Sequence, residues 1–348
     1  MDPTEYTVGW ICPLSLEYTA ARGMLDKEHD ASKLRKHHRD TNIYCLGEIG
    51  VHKVVLTCLD EAGNNNAGSV ANHMSNTFTN IQYGLLVGIG GGIPSPEVDI
   101  RLGDVVVSKP ARGHRGIIQY ESGKIIQGGE HSATVPVSAP HVTLRKAANH
   151  LSSNHVFGKN RMKYHIEEMW EKHPKLRANG YRSPGKKCDQ LFEAQYIHKG
   201  TDDSCADCDS RYLVNRCDRA EDEPVTHYGG IASGNRVMRD GVKRDQLGRD
   251  HGALCVEMEA AGLMEIIPCL IIRGICDYSD SHKNKDWQEY AATTAAAYAK
   301  ELLGIVSLSN VEGMLLASKF LGLKSFWLVE TISLMMFLHC EISPCSPI

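Results

Sequence analysis

Short, continuous apolar runs alternate along the chain with segments whose apolar residues recur at helical spacing. Runs rich in Val, Ile and Leu at Tyr6–Cys12, Lys53–Leu59, Gly84–Ile89, Asp104–Ser108, Gly229–Ala232 and Cys269–Ile275 read as buried strands. Between them, Leu14–Asp26, Ala67–Thr79, Asn235–Arg249, Glu257–Ile266 and Asp286–Leu303 read as helices, the last around an alanine-rich stretch. Strands alternating with helices predict an α/β fold with a mixed, mainly parallel central sheet flanked by helices.

The rhythm breaks over about 157–224. Residues 159–187 carry nine Lys or Arg against three Glu, whereas 201–223 carry eight Asp or Glu against three Arg. Opposite blocks of this kind either pair with each other or form a solvated insertion. The chain therefore reads as one α/β domain over 1–310 with an insertion, followed by an apolar tail at 311–348. Within that tail, Ser325–His339 spans only 15 residues and contains Glu330. A membrane span needs about 20 apolar residues, so a packed helix or an oligomer contact is expected and no membrane partner.

Composition narrows the class. A net charge of −4 over 348 residues, 23% of them charged, excludes a strongly basic nucleic-acid coat and a disordered chain. The first residues include Asp2 and Glu5 and have no basic region of the kind that opens a secretory signal. Of the 12 cysteines, Cys12, Cys45, Cys58, Cys255, Cys269 and Cys276 sit among apolar residues. Free thiols in a reducing, cytoplasmic setting are the expectation.

Candidate chemistry clusters where predicted strands end. The first strand leads into Pro13-Leu14-Ser15-Leu16-Glu17, the strand at 84–89 into Gly88-Ile89-Gly90-Gly91-Gly92, and the strand at 269–275 into Asp277-Tyr278-Ser279-Asp280. In parallel α/β sheets ligands bind at the carboxyl ends of strands, so these three loops are expected to line one crevice. Taken singly, each has a plainer explanation: a first-turn acid opposing the helix dipole, a tight turn, a capping aspartate. The glycine cluster also lacks dinucleotide-binding spacing, since Pro94 and Ser95 follow directly. A fourth element, Val256-Glu257-Met258-Glu259-Ala260-Ala261-Gly262, sets two carboxylates in an apolar helix start. On a helix they would point about 200° apart, so one must face inward, toward a ligand or Arg273.

Taken in order, these motifs resemble the purine nucleoside phosphorylase and methylthioadenosine/S-adenosylhomocysteine nucleosidase superfamily, most closely the fungal members found in NLR-like proteins. The resemblance covers about residues 6–305 and includes Asp99–Val107, Tyr228–Asn235 and Ile272–Asp277. It implies cleavage of the N-glycosidic bond of a purine nucleoside or nucleotide, with no cofactor for catalysis. By similarity, Glu259 would hold the ribose hydroxyls with Met258 against the sugar, while Val237 and Met238 would line the base pocket. Gly88, Ile89, Gly90, Gly91, Glu257 and Arg273 complete the expected binding set. Asp277 would be the acid that protonates the leaving purine, and Glu17 falls where the nucleosidase branch places the carboxylate that activates water. Some relatives have Ser or Cys where this chain has Ile89, which changes the sugar-side contacts. Members of the superfamily commonly self-associate, so a homo-oligomer is expected.

The logic is that of an inverting glycosidase. As the sugar gains oxocarbenium character, the base must gain a proton while a nucleophile approaches the opposite face. Phosphate could replace water as nucleophile, but a phosphate site needs convergent cations, and a carboxylate at 17 repels phosphate. Hydrolysis is therefore expected over phosphorolysis. A non-catalytic nucleotide-binding module is the third reading, disfavoured by the presence of Glu17, Glu259 and Asp277 together.

Two further groups stand out. Arg101, Lys109, Arg112, His114 and Arg115, with His282 and Lys283, are either a solvated basic surface or, for Arg101, Arg115, His282 and Lys283 in particular, contacts for the phosphates of an AMP- or ATP-type substrate. Cys205 and Cys208 have the C-x₂-C spacing of half a zinc site, with His198 upstream and Cys217 downstream; a zinc there would brace the insertion and take no part in catalysis.

Overall fold

The continuous apolar runs are strands buried on both faces of one sheet. The computed structural model describes residues 2–111, 113–121, 138–200, 204–219 and 221–307, and the backbone alone at 124–126 and 129–131. The predicted tail at 311–348 lies outside the described residues, and among those described no helix is long and apolar enough to cross a membrane.

In chain order the strands are β1 (Val8–Cys12), β2 (Lys27–His29), β3 (Tyr44–Ile49), β4 (His52–Cys58), β5 (Tyr83–Gly92), β6 (Val105–Ser108), β7 (Ile117–Gln119), β8 (Lys124–Ile126), β9 (Gly129–His131), β10 (Thr226–Ser233), β11 (Ala253–Glu257) and β12 (Cys269–Asp277). The helices are α1 (Ser15–Gly23), α2 (Asn64–Thr77), α3 (Val142–Val156), α4 (Met162–Lys172), α5 (Pro174–Ala178), α6 (Gly241–His251), α7 (Ala260–Leu263) and α8 (Gln288–Leu303). The main sheet runs β11-β10-β6-β12-β5-β1-β4-β3-β2, with β7 beside β10. Pairs β1–β4, β1–β5, β5–β12 and β6–β10 are parallel; β6–β12 and β3–β4 are antiparallel. β11 also pairs antiparallel with β5, curling the sheet back on itself.

Period-two alternation divides each run between two cores. Val8, Trp10, Leu85, Val87, Leu270 and Ile272 pack on one side with α1, α4 and α8, while Ile11, Leu86, Cys269 and Ile271 pack on the other with α2 and α7. The alanines of α8 let it lie close on the sheet. A Cβ at Gly274 would run into the Ala291 carbonyl, so only glycine permits that approach.

Three expected elements are corrected. The segment Glu257–Ile266 is not one helix: Glu257 ends β11, and α7 holds only Ala260–Leu263. The Met-Glu-Ala-Ala composition suggests a helix, but pairing of Cys255 and Val256 with Gly92 and Gly91 makes the preceding residues a strand. The segment Asn235–Arg249 is loop as far as Asp240, whose carboxylate caps the N–H groups of Val242 and Lys243 and starts α6 there. Residues 157–224 are not uniformly solvated either, because Met162, Ile166 and Met169 of α4 belong to the core. The opposite charge blocks do meet, through Lys163–Glu223 at 3.3 Å and Lys186–Asp222.

Candidate active site

The candidate acids gather where two oppositely directed groups of strands meet. The end of β5 lies antiparallel to the end of β11, with Val256 opposite Gly91, and parallel to the end of β12, with Arg273 opposite Gly88. The carboxylates that leave β11 and β12 are thereby brought to one place, alongside the first turn of α1.

Glu17 is buried at the start of α1. Its Oε2 accepts from Leu14 N–H at 2.6 Å and its Oε1 from Ile89 N–H at 2.7 Å. The sequence alone allowed a solvated helix-dipole acid; the structure instead ties this carboxylate to the glycine strand. Burial pushes it up to about 8, against the opposing pull of the Arg273 charge and the Ile89 N–H.

Arg273, buried in mid-β12, gathers the other two acids. Its Nη2 is 2.5 Å from Glu257 Oε2 and 3.0 Å from Glu259 Oε2. The helical argument that separated these glutamates fails because Glu257 is at a strand end and Glu259 caps α7, so both turn inward. Glu257 further accepts from the N–H groups of Glu259 and Ala260, and Glu259 from Met258 N–H at 3.3 Å. Burial raises the Glu259 carboxyl above its ordinary range, and Arg273 opposes this. The two acids hold Arg273 firmly charged.

Asp277, buried at the end of β12, is held by three donors. Lys283 Nζ lies 2.7 Å from its Oδ2, Ser279 N–H donates to its Oδ1 at 2.8 Å, and the Cys276 thiol is 3.1 Å from Oδ2. Ser279 takes a left-handed φ of 53°, the sole positive φ at a residue other than glycine among the described residues. The loop from Asp277 to Lys283 is thus folded tightly around the carboxylate.

The glycine cluster has a reason beyond turning the chain. A Cβ at Gly88 would overlap Glu17 Oε1 and Arg273 Nη1, and one at Gly91 would overlap Ser279 Oγ and come within 2.8 Å of Asp277 Oδ1. The glycines make room for the acids. Gly90 lies against Arg273, and all of Gly88–Gly92 belongs to β5.

Val237 is exposed, while Met238 packs beside Tyr120 against Ile93, Ile118 and Val256. The candidate phosphate contacts do not converge. Arg101 is bound to Asp99 at 2.8 Å and to the Cys217 carbonyl, Arg115 is exposed, Lys283 holds Asp277, and His282 is buried in an aromatic stack. Lys109 and His114 line a cavity of about 860 Å³ together with Tyr228, His227 and His251, none of the four acids being among its walls.

Sequence reading missed Asn64 and Ser233. Asn64 Oδ1 accepts from Gly262 N–H at 2.9 Å, and Ser233 Oγ from Ala261 N–H at 3.1 Å, so together they cradle the start of α7 behind Glu259. Asn64 stands in the run Gly63-Asn64-Asn65-Asn66, a cluster of polar residues opening a helix that was the available signal.

The architecture is that of solved nucleosidase structures. The chain matches the methylthioadenosine/S-adenosylhomocysteine nucleosidase of Helicobacter pylori with a TM-score of 0.53 at 14% identity over 86% of this chain and 98% of that one. It matches the H. pylori futalosine hydrolase with a TM-score of 0.52 at 14% identity over the same shares. These likenesses show that the chain shares the fold of these proteins. No family model matches its sequence. Among curated proteins it is 43% identical over 307 residues to a nucleotide-binding leucine-rich repeat (NLR)-like protein of the fungus Hyaloscypha variabilis, covering 88% of this chain and 30% of that protein. It is 23% identical over 256 residues to the ATP nucleosidase Cap17 of Escherichia coli, covering 72% of this chain and 41% of that one. The chain therefore spans less than half the length of either.

Proposed function

We propose that the chain hydrolyses the N-glycosidic bond of a purine nucleoside, releasing the free base. The observation that carries this reading is the engagement of Glu17. Its two oxygens occupy the N–H groups of Leu14 and Ile89, and Glu257 and Glu259 occupy Arg273, so the donors an attacking phosphate would need are already taken. A fixed carboxylate in that position suits water and opposes phosphate.

In this scheme Glu259 receives the sugar hydroxyls and Met258 its apolar face, with Val237 and Met238 beside the base. Glu17 takes a proton from water as it attacks the anomeric carbon. Asp277 gives a proton to the purine nitrogen as the C–N bond breaks and returns to a carboxylate held by Lys283, the pairing seen in the structure. Each proton transfer is worth about 10²–10⁴-fold. The steps use only side chains and water.

The scattering of Arg101, Arg115, His282 and Lys283 favours a nucleoside. The similarity to the ATP nucleosidase favours a nucleotide and is kept as the second reading. The deciding experiment is chromatography of purified protein with ATP, AMP, adenosine, inosine and methylthioadenosine, with and without phosphate. Free base and reducing sugar without phosphate support the proposal, and the substrate ranking separates the two readings. Cleavage that requires phosphate, or none at all, overturns it.

A further inference from the structure

Outside the acid cluster, one group of side chains has more ligating capacity than its surroundings use. The donor atoms of His198, Cys205 and Cys208 all lie within 4.8 Å of one another. A tetrahedral zinc with bonds of about 2.0–2.3 Å sets its donors roughly 3.3–3.8 Å apart, so a contraction of about 1 Å would close the three around an ion. His198 Nε2 lies 2.9 Å from the Ser204 carbonyl. Donation of its proton there leaves Nδ1 as the free lone pair.

A second observation points the same way. His282 is 7% exposed, and neither ring nitrogen has a hydrogen-bond partner. An imidazole so buried ordinarily satisfies both nitrogens. Its ring is stacked on Phe192 at 4.1 Å and Tyr196 at 5.5 Å, and stands edge-on to His198 with centroids 5.4 Å apart. Its Nδ1 faces Asp280 Oδ1 at 3.7 Å. At that distance no hydrogen bond forms, so both ring nitrogens stay unpaired and one of them is available to a metal.

We propose that Cys205, Cys208, His198 and His282 bind a structural zinc ion, the first three as a near-formed half-shell and His282, through Nε2, as the fourth ligand. Two thiolates and two neutral imidazoles neutralise the ion, as in other closed zinc sites. The ion joins the charged segment to the loop that follows β12, where His198 N–H already donates to Ser281 Oγ at 2.9 Å. His282 immediately precedes Lys283, the residue that holds Asp277. The site therefore clamps an irregular segment against the loop carrying that lysine, and its existence does not depend on which bond the protein cleaves.

The test is metal analysis of the full chain purified under reducing conditions, followed by cobalt substitution. Expected are one zinc per chain and, with cobalt, thiolate charge-transfer absorption together with the strong visible bands of a tetrahedral site. Cys208→Ser should abolish the charge-transfer intensity of one thiolate. His282→Gln should weaken the visible bands and lower metal affinity by more than the about 10–100-fold that loss of an outer-shell partner costs. Should either variant fail to fold, the wild-type cobalt spectrum still decides between a thiolate–imidazole site and none. Protein folded without bound metal and silent with cobalt, or a Cys205–Cys208 disulfide in its place, overturns the site. A spectrum and affinity unchanged in a folded His282→Gln variant overturn the fourth ligand.

Discussion

Replacing Glu17 by Gln should reveal one residue's opposite effects on catalysis and stability. The wild-type carboxyl sits at about 8 because burial disfavours its charge, against an ordinary value of 4.5. Between pH 6 and 8 the unfolded chain has this group ionised while the folded chain keeps its proton. A group raised on folding contributes stability that is lost as pH rises, here by about 1.4 kcal/mol per unit, or about 3 kcal/mol across that window. Gln cannot ionise and escapes this loss. It also offers a single acceptor to two N–H donors, Leu14 and Ile89, leaving one unsatisfied at about 1–3 kcal/mol at every pH. Wild type should therefore be the more stable protein near pH 6 and lose its margin by pH 8–9, as followed by urea unfolding. Over the same range the ionisation of Glu17 should appear as a rising limb of kcat/KM up to about 8, because only the ionised carboxylate accepts a proton. The Gln variant should be slower by about 10²–10⁴-fold and lack that limb. A stability difference that does not vary with pH, together with a flat wild-type profile, would refute the reasoning.

Other substitutions test the rest of the cluster. Asp277→Asn should lower base release by about 10²–10⁴-fold in a steady-state assay, and a loss below tenfold would remove Asp277 as the acid. Gly88→Ala forces a Cβ onto Glu17 and Arg273 and should cost about 1–3 kcal/mol in denaturant unfolding along with most of the activity; an unchanged variant would show that the close approach is unimportant. Arg273→Met leaves Glu257 and Glu259 buried without their cation, so about 3–5 kcal/mol of stability should disappear, with partial recovery at low pH as the acids are protonated. A melting temperature within a degree of wild type would refute it.

The class of fold, the order of the loops and the acids themselves were written in the chain, because each depends on local pattern. An apolar run of strand length declares a buried strand whatever it packs against, and glycines and acids at strand ends mark a crevice in any α/β sheet. What stayed hidden depended on contacts between distant residues. Whether Glu17 met solvent or the glycine strand rested on Ile89, 72 positions away. Strand β11 could not be separated from the helix after it, because pairing with β10 and β5, both distant in the chain, makes it a strand.

Sequence by itself determined which chemistry was available: a glycine run, four carboxylates, one arginine and a C-x₂-C pair. Tertiary structure decided how each was used. Opposed strand directions at β5 and β11 turned Glu257 and Glu259 onto one guanidinium. The left-handed turn at Ser279 lies in the loop that brings Lys283 back to Asp277. His282 was placed beside His198, 84 residues away, by packing against Phe192. Such assignments depend on distances and burial, and a single strand of sequence contains neither.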